Sequence, residues 1–169
     1  MRSGETGARP AGRVVQAGFC LLVAPLLASS AWAQNTYTVT TGGDDSGLVS
    51  CAGSGTSFSC NTLRDAITTA NAAAGTNTIN FSSSVTSVTL GSNLNTINTS
   101  VSTALTIDGS TSSAGSVAIN GGGHSVFFVV TGTAKLDDLT VSGATATGGA
   151  GASSGGGGGL GAGGGLFVA

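Results

Sequence analysis

The sequence predicts an all-β fold, a parallel β-helix solenoid with an amphipathic helix as its N-terminal cap. Three observations predict this class. Short strand-like segments follow one another with turns of Gly, Ser, Asn or Asp between them. A single helical pattern occupies residues 62–71, and two later strand segments recur at one constant offset.

The helical pattern at 62–71 has one apolar face. Thr62 can accept a hydrogen bond from the amide of Asp65, and the Asp65 carboxylate suits the positive end of the helix dipole. Because so short a helix is marginal alone in water, it must pack on β structure. The apolar side chains at i, i+3, i+4 and i+7 are Leu63, Ala66, Ile67 and Ala70. The predicted cap helix comprises Thr62, Leu63, Arg64, Asp65, Ala66, Ile67 and Ala70.

The strand segments contain an internal repeat. A shift of 22 residues places 105–107 on 127–129 and also places 117–121 on 139–143. A constant offset indicates one coil of a parallel β-helix, in which each strand pairs with its equivalent in the next coil. The predicted strands lie at 37–40 (an edge strand), 79–81, 85–90, 94–97, 105–107, 117–119, 126–130, 139–141 and 166–168.

Residues 1–33 have the pattern of a secretory signal peptide. Three arginines precede an apolar run at 14–27, and Ala31-Trp32-Ala33 forms a small-residue cleavage site. The apolar run is shorter than the roughly 20 residues that a membrane span needs. The sequence therefore predicts an exported protein whose mature chain begins at Gln34.

The charge of the mature chain excludes two classes of partner. After residue 33, Arg64 and Lys135 are the cations against six aspartates, a net charge of −4. Binding to nucleic acids or to anionic membranes needs a basic patch, which this composition lacks.

Cys51 and Cys60 are the cysteines that remain after residue 33, and an even number in an exported chain predicts a disulfide. Closing this loop would stabilise the fold by about 2–3 kcal/mol in the entropy model. A zinc site would need two further ligands.

Few residues suggest catalysis or metal binding. Asp137 and Asp138 are neighbours that would point to opposite faces of a strand, and the 22-residue register pairs Asp108 with Val130. No ladder of acids is therefore expected, and no catalytic, cofactor-binding or metal-binding residue is assigned. The candidates considered are Asp108, Lys135, Asp137, Asp138 and His124 for polysaccharide chemistry, and Asp44 and Asp45 for calcium, all interpreted as turn or surface residues.

Twelve of the eighteen residues from 148 to 165 are glycine, without the Lys-Ser/Thr pair of a phosphate-binding loop. We expect an exposed flexible loop there and an unfinished coil after it, as in the N-terminal piece of a longer protein. The predicted organisation is a signal peptide at 1–33, an N-terminal cap at 34–77, β-helix coils at 78–147, the Gly-rich loop at 148–165 and a further coil from 166 to 169.

The segment Cys60-Asn-Thr-Leu-Arg-Asp-Ala-Ile67, followed by Ala70-Asn71, resembles the CSLREA signature of secreted bacterial proteins. Segments 78–81, 105–109, 117–122 and 136–143 also match in order, so the resemblance covers 37–145. Two departures are an extra residue before Leu63 and Asp65 in place of Glu. The resemblance implies a right-handed parallel β-helix of the pectin-lyase-like type, as in autotransporter passengers and proteins resembling polymorphic outer-membrane proteins.

The resemblance also implies a function. It favours a non-enzymatic, secreted or surface-displayed protein of the adhesin type, located at the cell surface or outer membrane or outside the cell. The implied partners are a host-cell surface or glycans, with no cofactor, no nucleic acid, and membrane contact only through a C-terminal β-barrel beyond this sequence. The alternative is an extracellular polysaccharide lyase or hydrolase whose catalytic coils lie beyond residue 169.

Overall fold

The computed structural model describes residues 34–45, 47, 51–148, 161 and 163–169. The predicted signal peptide and most of the Gly-rich loop lie outside the described residues. Within the described ranges there are twelve strands and one helix. They are β1 (Gln34–Val39), β2 (Ala52–Ser54), β3 (Ser57–Cys60), α1 (Leu63–Ala72), β4 (Gly75–Phe81), β5 (Ser87–Thr89), β6 (Ile97–Asn98), β7 (Ser102–Asp108), β8 (Val117–Asn120), β9 (Phe127–Thr131), β10 (Ala134–Asp137), β11 (Leu139–Ser142) and β12 (Leu166–Val168).

The described strands form three sheets, and from β4 onward the chain visits them in rotation. Each strand from β4 to β9 pairs in parallel with the strand that comes three later in the chain, as β4 does with β7 and β7 with β10. The sheet orders are β10-β7-β4-β1-β3-β2, β11-β8-β5 and β12-β9-β6. The pair β2 and β3 is antiparallel.

The predicted fold class, an all-β solenoid with a 22-residue coil, is wrong. The fold is a mixed α/β arrangement with parallel and antiparallel pairing and one short helix in the described part. The 22-residue offset holds between β8 and β11, where Val117 pairs with Leu139. It fails elsewhere, because Leu105 pairs with Ala134 and Phe127 pairs with Leu166. Connections of unequal length separate the paired strands, so no single repeat length describes them.

The core consists of apolar side chains that stack from strand to strand. Ile79 pairs in register with Tyr37 on one side and with Ile107 on the other, and all three are buried. Val88 and Ile119 stack in the same way in the second sheet. Burial of each such side chain stabilises the fold by about 1.5–3 kcal/mol. The apolar residues that alternate along the strands are therefore the main source of stability, because they form this buried layer.

Helix α1 is part of this core and packs against β1, β3, β4, β6 and β7. Thr62 is its N-cap: the Asp65 amide donates to Thr62 Oγ1 over 3.2 Å, and the Thr62 amide donates to the Asp65 carboxylate over 3.2 Å. Its buried residues include Leu63, Ala66, Ile67 and Ala70. In the described ranges, no helix is long and apolar enough to cross a membrane.

A buried asparagine pair terminates the helix. The Asn77 side-chain amide donates to the carbonyls of Ala70 and Ala73, over 3.1 and 3.0 Å. The Ala70 carbonyl also accepts from the Ala73 backbone amide, so Asn77 adds a second donor at this end of the helix. Asn35 in turn donates to Asn77 Oδ1 over 2.9 Å. Strand β4 therefore supplies a C-terminal cap of α1 from four to seven residues along the chain, and Asn35 on β1, 42 residues from Asn77, holds that cap in place.

Three strands were missed by the alternation pattern, namely β2, β3 and β10. The first two form a hairpin next to the Cys51–Cys60 disulfide, which is present as predicted. Because β3 pairs with β1, the prediction that 37–40 is an edge strand is wrong. Gly and Ser dominate this hairpin, and neither residue type has a strong strand preference.

Replacing Ile67 by Asp should destabilise the protein by more than about 3 kcal/mol, because a carboxylate would enter a fully buried site. The free energy of unfolding measured by urea denaturation would show this. Ala72→Asp is the matched control, since Ala72 lies on the same helix and is exposed. Equal effects of the two variants would show that α1 does not pack through Ile67.

Candidate functional site

A polar groove is the candidate binding site. Its volume is about 320 Å³, and none of its described lining residues carries a charged side chain. The described residues of the lining are Asn93, Gly123, Ser125, Phe128, Thr145, Ala146, Thr147 and Gly161. The groove therefore offers amide and hydroxyl groups together with one aromatic ring.

The groove is built on the turn between β8 and β9. Gly122 and Gly123 in this turn have φ angles of 58° and 85°, which glycine adopts without strain. Asn93 Oδ1 accepts a hydrogen bond from the amide of Ser125 over 2.9 Å, and Ser125 Oγ donates to the Thr145 carbonyl over 3.3 Å. Hydrogen bonds thus connect the segments that form the two walls.

The aromatic ring of the groove belongs to a stacked pair. Phe128 on β9 and Phe167 on β12 have ring centroids 5.0 Å apart and planes inclined by 4°. Parallel pairing of the two strands places these residues side by side. Stacking holds the Phe128 side chain in place at the groove.

A buried ion pair lies behind the groove. Arg64 Nε and Nη2 donate to Asp44 Oδ1 and Oδ2 over 2.8 and 2.6 Å, and the two side chains are 6% and 3% exposed. Arg64 also donates to the carbonyls of Asn93, over 2.6 Å, and Ser92, over 3.1 Å. The pair therefore anchors the loop that carries Asn93 to helix α1.

The environment of Asp44 keeps its carboxylate ionised. Burial raises the pKa of Asp44, but hydrogen bonds from Arg64 and from the amides of Gly91 and Ser92, with the guanidinium charge, outweigh burial and lower the pKa below its usual value. The Gly91 amide donates to Asp44 Oδ2 over 3.0 Å. These contacts occupy the carboxylate that the sequence suggested as a calcium ligand.

Sequence reasoning missed this pair. Arg64 was assigned to the cap helix and Asp44 to a turn, and no spacing rule joins residues that are twenty positions apart in different elements. A usable signal is the scarcity of cations: an arginine within an otherwise apolar and hydroxyl-rich helix needs a nearby carboxylate if it is buried. Asp45, by contrast, is exposed, and its carboxylate accepts a hydrogen bond from the side-chain amide of Asn61 over 3.2 Å.

The acidic residues considered for catalysis lie closer together than predicted. In the register of β7 and β10, Asp137 is beside Asp108, so the predicted pairing of Asp108 with Val130 is wrong. Lys135 Nζ lies 2.5 Å from Asp137 Oδ2. Hydrogen bonds from the Ser110 side chain and amide lower the pKa of Asp108. This outer-surface group is separate from the polar groove.

The other two residues considered for catalysis, Asp138 and His124, belong neither to the polar groove nor to the group of Asp108, Lys135 and Asp137. Asp138 has a φ of 50° and connects β10 to β11. His124 lies half-buried in the turn after β8, where its amide donates to the Gly121 carbonyl over 2.8 Å. Among the residues that the structure describes, no three His, Cys, Asp or Glu side chains form a cluster that could hold a metal ion.

Comparison with known proteins finds no matching family model, no matching curated protein and no matching solved structure. The resemblance of 60–71 to the CSLREA signature therefore stays a prediction from the sequence.

Replacing Asp44 by Ala should lower the free energy of unfolding by about 3–5 kcal/mol, because the Arg64 charge would stay buried without its partner. Asp45→Ala is the matched control, with an expected change within about 0.5 kcal/mol for an exposed neighbour. Urea denaturation of both variants measures the difference. An equal loss of unfolding free energy in the two variants would contradict the structural role of the ion pair.

The same pair predicts a pH dependence. Because the pKa of Asp44 is lower in the folded protein than its ordinary value of 3.8, the pair stabilises the fold fully above that value. This stabilisation is lost as the pH falls through the lowered pKa. The difference in unfolding free energy between the wild-type protein and Asp44→Ala should therefore shrink below about pH 4. A difference that stays constant down to about pH 2 would contradict this assignment.

Proposed function

We propose that this protein is a non-enzymatic, exported recognition protein that is displayed outside the cell and binds neutral glycans in the polar groove. The observation that carries the proposal is the composition of the groove: uncharged amide and hydroxyl side chains beside the ring of Phe128. Sugars present hydroxyl groups, which pair with amides and hydroxyls, and apolar ring faces, which pack on aromatic rings.

Two features support a binding role for the groove. The Asn93 backbone is held by Arg64, and Ser125 is held by Asn93, so the walls are ordered before a ligand arrives. Preordered walls reduce the entropy that is lost on binding. The net charge of −4 after residue 33 disfavours acidic polysaccharides and is compatible with neutral ones.

Export is supported by two independent observations. Residues 1–33 have the charged, apolar and small-residue regions of a signal peptide. The Cys51–Cys60 disulfide suits an oxidising compartment. The proposed display at the cell surface or release from the cell rests on the adhesin-like role that the CSLREA resemblance implies.

Binding to an array of neutral and acidic glycans tests this function. We expect binding to neutral glycans, and an affinity at least about tenfold lower for Thr147→Trp, because the exposed Thr147 lines the groove and an indole would fill it. Thr89→Trp is the matched control on an exposed strand position outside the groove. The groove assignment fails if no neutral glycan binds, or if Thr147→Trp binds as tightly as the control.

The second candidate is a polysaccharide lyase or hydrolase, which the adjacency of Asp108, Asp137 and Lys135 favours. Carboxylates beside a lysine could move protons at a sugar ring. Incubation with pectate and calcium separates the candidates. We expect no product. Unsaturated products that disappear when Asp108 and Asp137 are replaced by Ala would overturn the non-enzymatic assignment.

A further inference from the structure

The outer face of the six-stranded sheet carries small polar side chains in a regular arrangement. Tyr37, Ile79 and Ile107 are buried in the core, so the residues on either side of each of them point to the opposite face. Register aligns those residues in two rows across β3, β1, β4 and β7, and we call this surface the threonine face. One row is Ser57, Thr36, Thr78 and Thr106, and the other is Ser59, Thr38, Asn80 and Asp108.

The side chains of the threonine face repeat in two perpendicular directions. Adjacent strands lie about 4.8 Å apart, and residues two positions apart on one strand are separated by about 6.7 Å. The register of β4 and β7 shifts between Gly75 and Thr76, before the two rows begin, and is continuous through them. Because threonine is restricted at χ1, the hydroxyls of its four threonines are held at nearly fixed spacings.

These hydroxyls are left for solvent. Within the described residues, the four threonines of the face make no side-chain hydrogen bond, and each is half-buried by its neighbours in the row. Threonines in other places bond to the protein: the hydroxyls of Thr62, Thr68 and Thr111 donate to Asp65, Arg64 and Phe81. Each hydroxyl of the face can therefore donate to one water molecule and accept from others.

The chemistry of the face disfavours most classes of partner. Asp108 is the one charged residue among its eight, and Lys135 and Asp137 bound the rows on β10, so an ionic ligand lacks a counter-charge over most of the surface. None of the eight residues is aromatic, whereas sugar rings pack on aromatic rings. A lipid or protein surface would take the hydroxyls out of water, which costs free energy unless each finds a new partner.

We propose that the threonine face binds ice. Water molecules that bridge neighbouring hydroxyls of a row take the spacing of the strands. Water oxygens at the surface of ice repeat at similar distances in two perpendicular directions, so the bridging layer fits onto the crystal. Because the protein fixes the spacing in advance, less entropy is lost when this layer becomes ordered.

This inference is independent of the neutral glycan site. The ring of Phe128 in the polar groove belongs to β9, in the sheet of β12, β9 and β6, whereas the threonine face lies on β3, β1, β4 and β7. Failure of either assignment therefore leaves the other standing.

Inhibition of ice recrystallisation by the full chain tests the proposal. We expect the wild-type protein to keep ice grains small in a frozen sucrose solution. Thr78→Tyr should raise the protein concentration needed for this effect by at least about tenfold, because a phenol ring in the middle of the face would hold the ice surface away from both rows. Thr89→Tyr is the matched control, at an exposed strand position in another sheet, and should act like the wild-type protein.

A second variant removes hydroxyls without adding bulk. Thr36 and Thr78 are neighbours in one row, and the double variant Thr36→Val with Thr78→Val keeps the shape and strand preference of both residues. We expect it to unfold in urea at no lower concentration than the wild-type protein and to inhibit recrystallisation more weakly.

Three outcomes would overturn the proposal. The first is a wild-type protein without effect on ice, and the second is an effect that the Thr78→Tyr and double valine variants both retain in full. The third is binding of the wild-type protein to crystalline cellulose or chitin that Thr78→Tyr abolishes, without any effect on ice, which would assign the face to a polysaccharide surface.

Discussion

Arg64 and Asp44 form a buried ion pair that joins helix α1 to the turn after β1 and to the loop that carries Asn93. Removing two charges from water is costly, and only good geometry offsets the cost. Here the geometry is bidentate, and carbonyls and an amide satisfy further donors and acceptors. The position of the loop, and with it the wall of the polar groove, depends on this pair.

The ends of α1 depend on similar satisfaction of polar groups inside the core. Thr62 and Asp65 cap its first turn, while Asn77 binds carbonyls at its last turn and is itself held by Asn35. A buried helix end without such partners would be strongly unfavourable. These contacts make the helix an integral part of a mixed α/β core.

Charge is scarce in this chain, so each charged side chain has a large local effect. One of the two cations after residue 33 is buried against Asp44, and the other lies on the last strand of its sheet beside Asp137. The described lining of the polar groove carries no charged side chain. A surface solvated mainly by hydroxyls and amides suits a binding role for neutral, hydroxyl-rich partners.

The sequence by itself determined the local features of this protein. The bounds of α1, its cap at Thr62, the Cys51–Cys60 disulfide and most strands are visible in the pattern, because each depends on residues a few positions apart. The tertiary structure alone decided which strands pair. Loops of unequal length set those pairings, so the 22-residue offset held for β8 and β11 but failed for β7, whose Asp108 lies beside Asp137. It also decided that Arg64 meets Asp44 and that Asn35 meets Asn77, since contacts between segments 20 and 42 residues apart exist only once the chain has closed on itself.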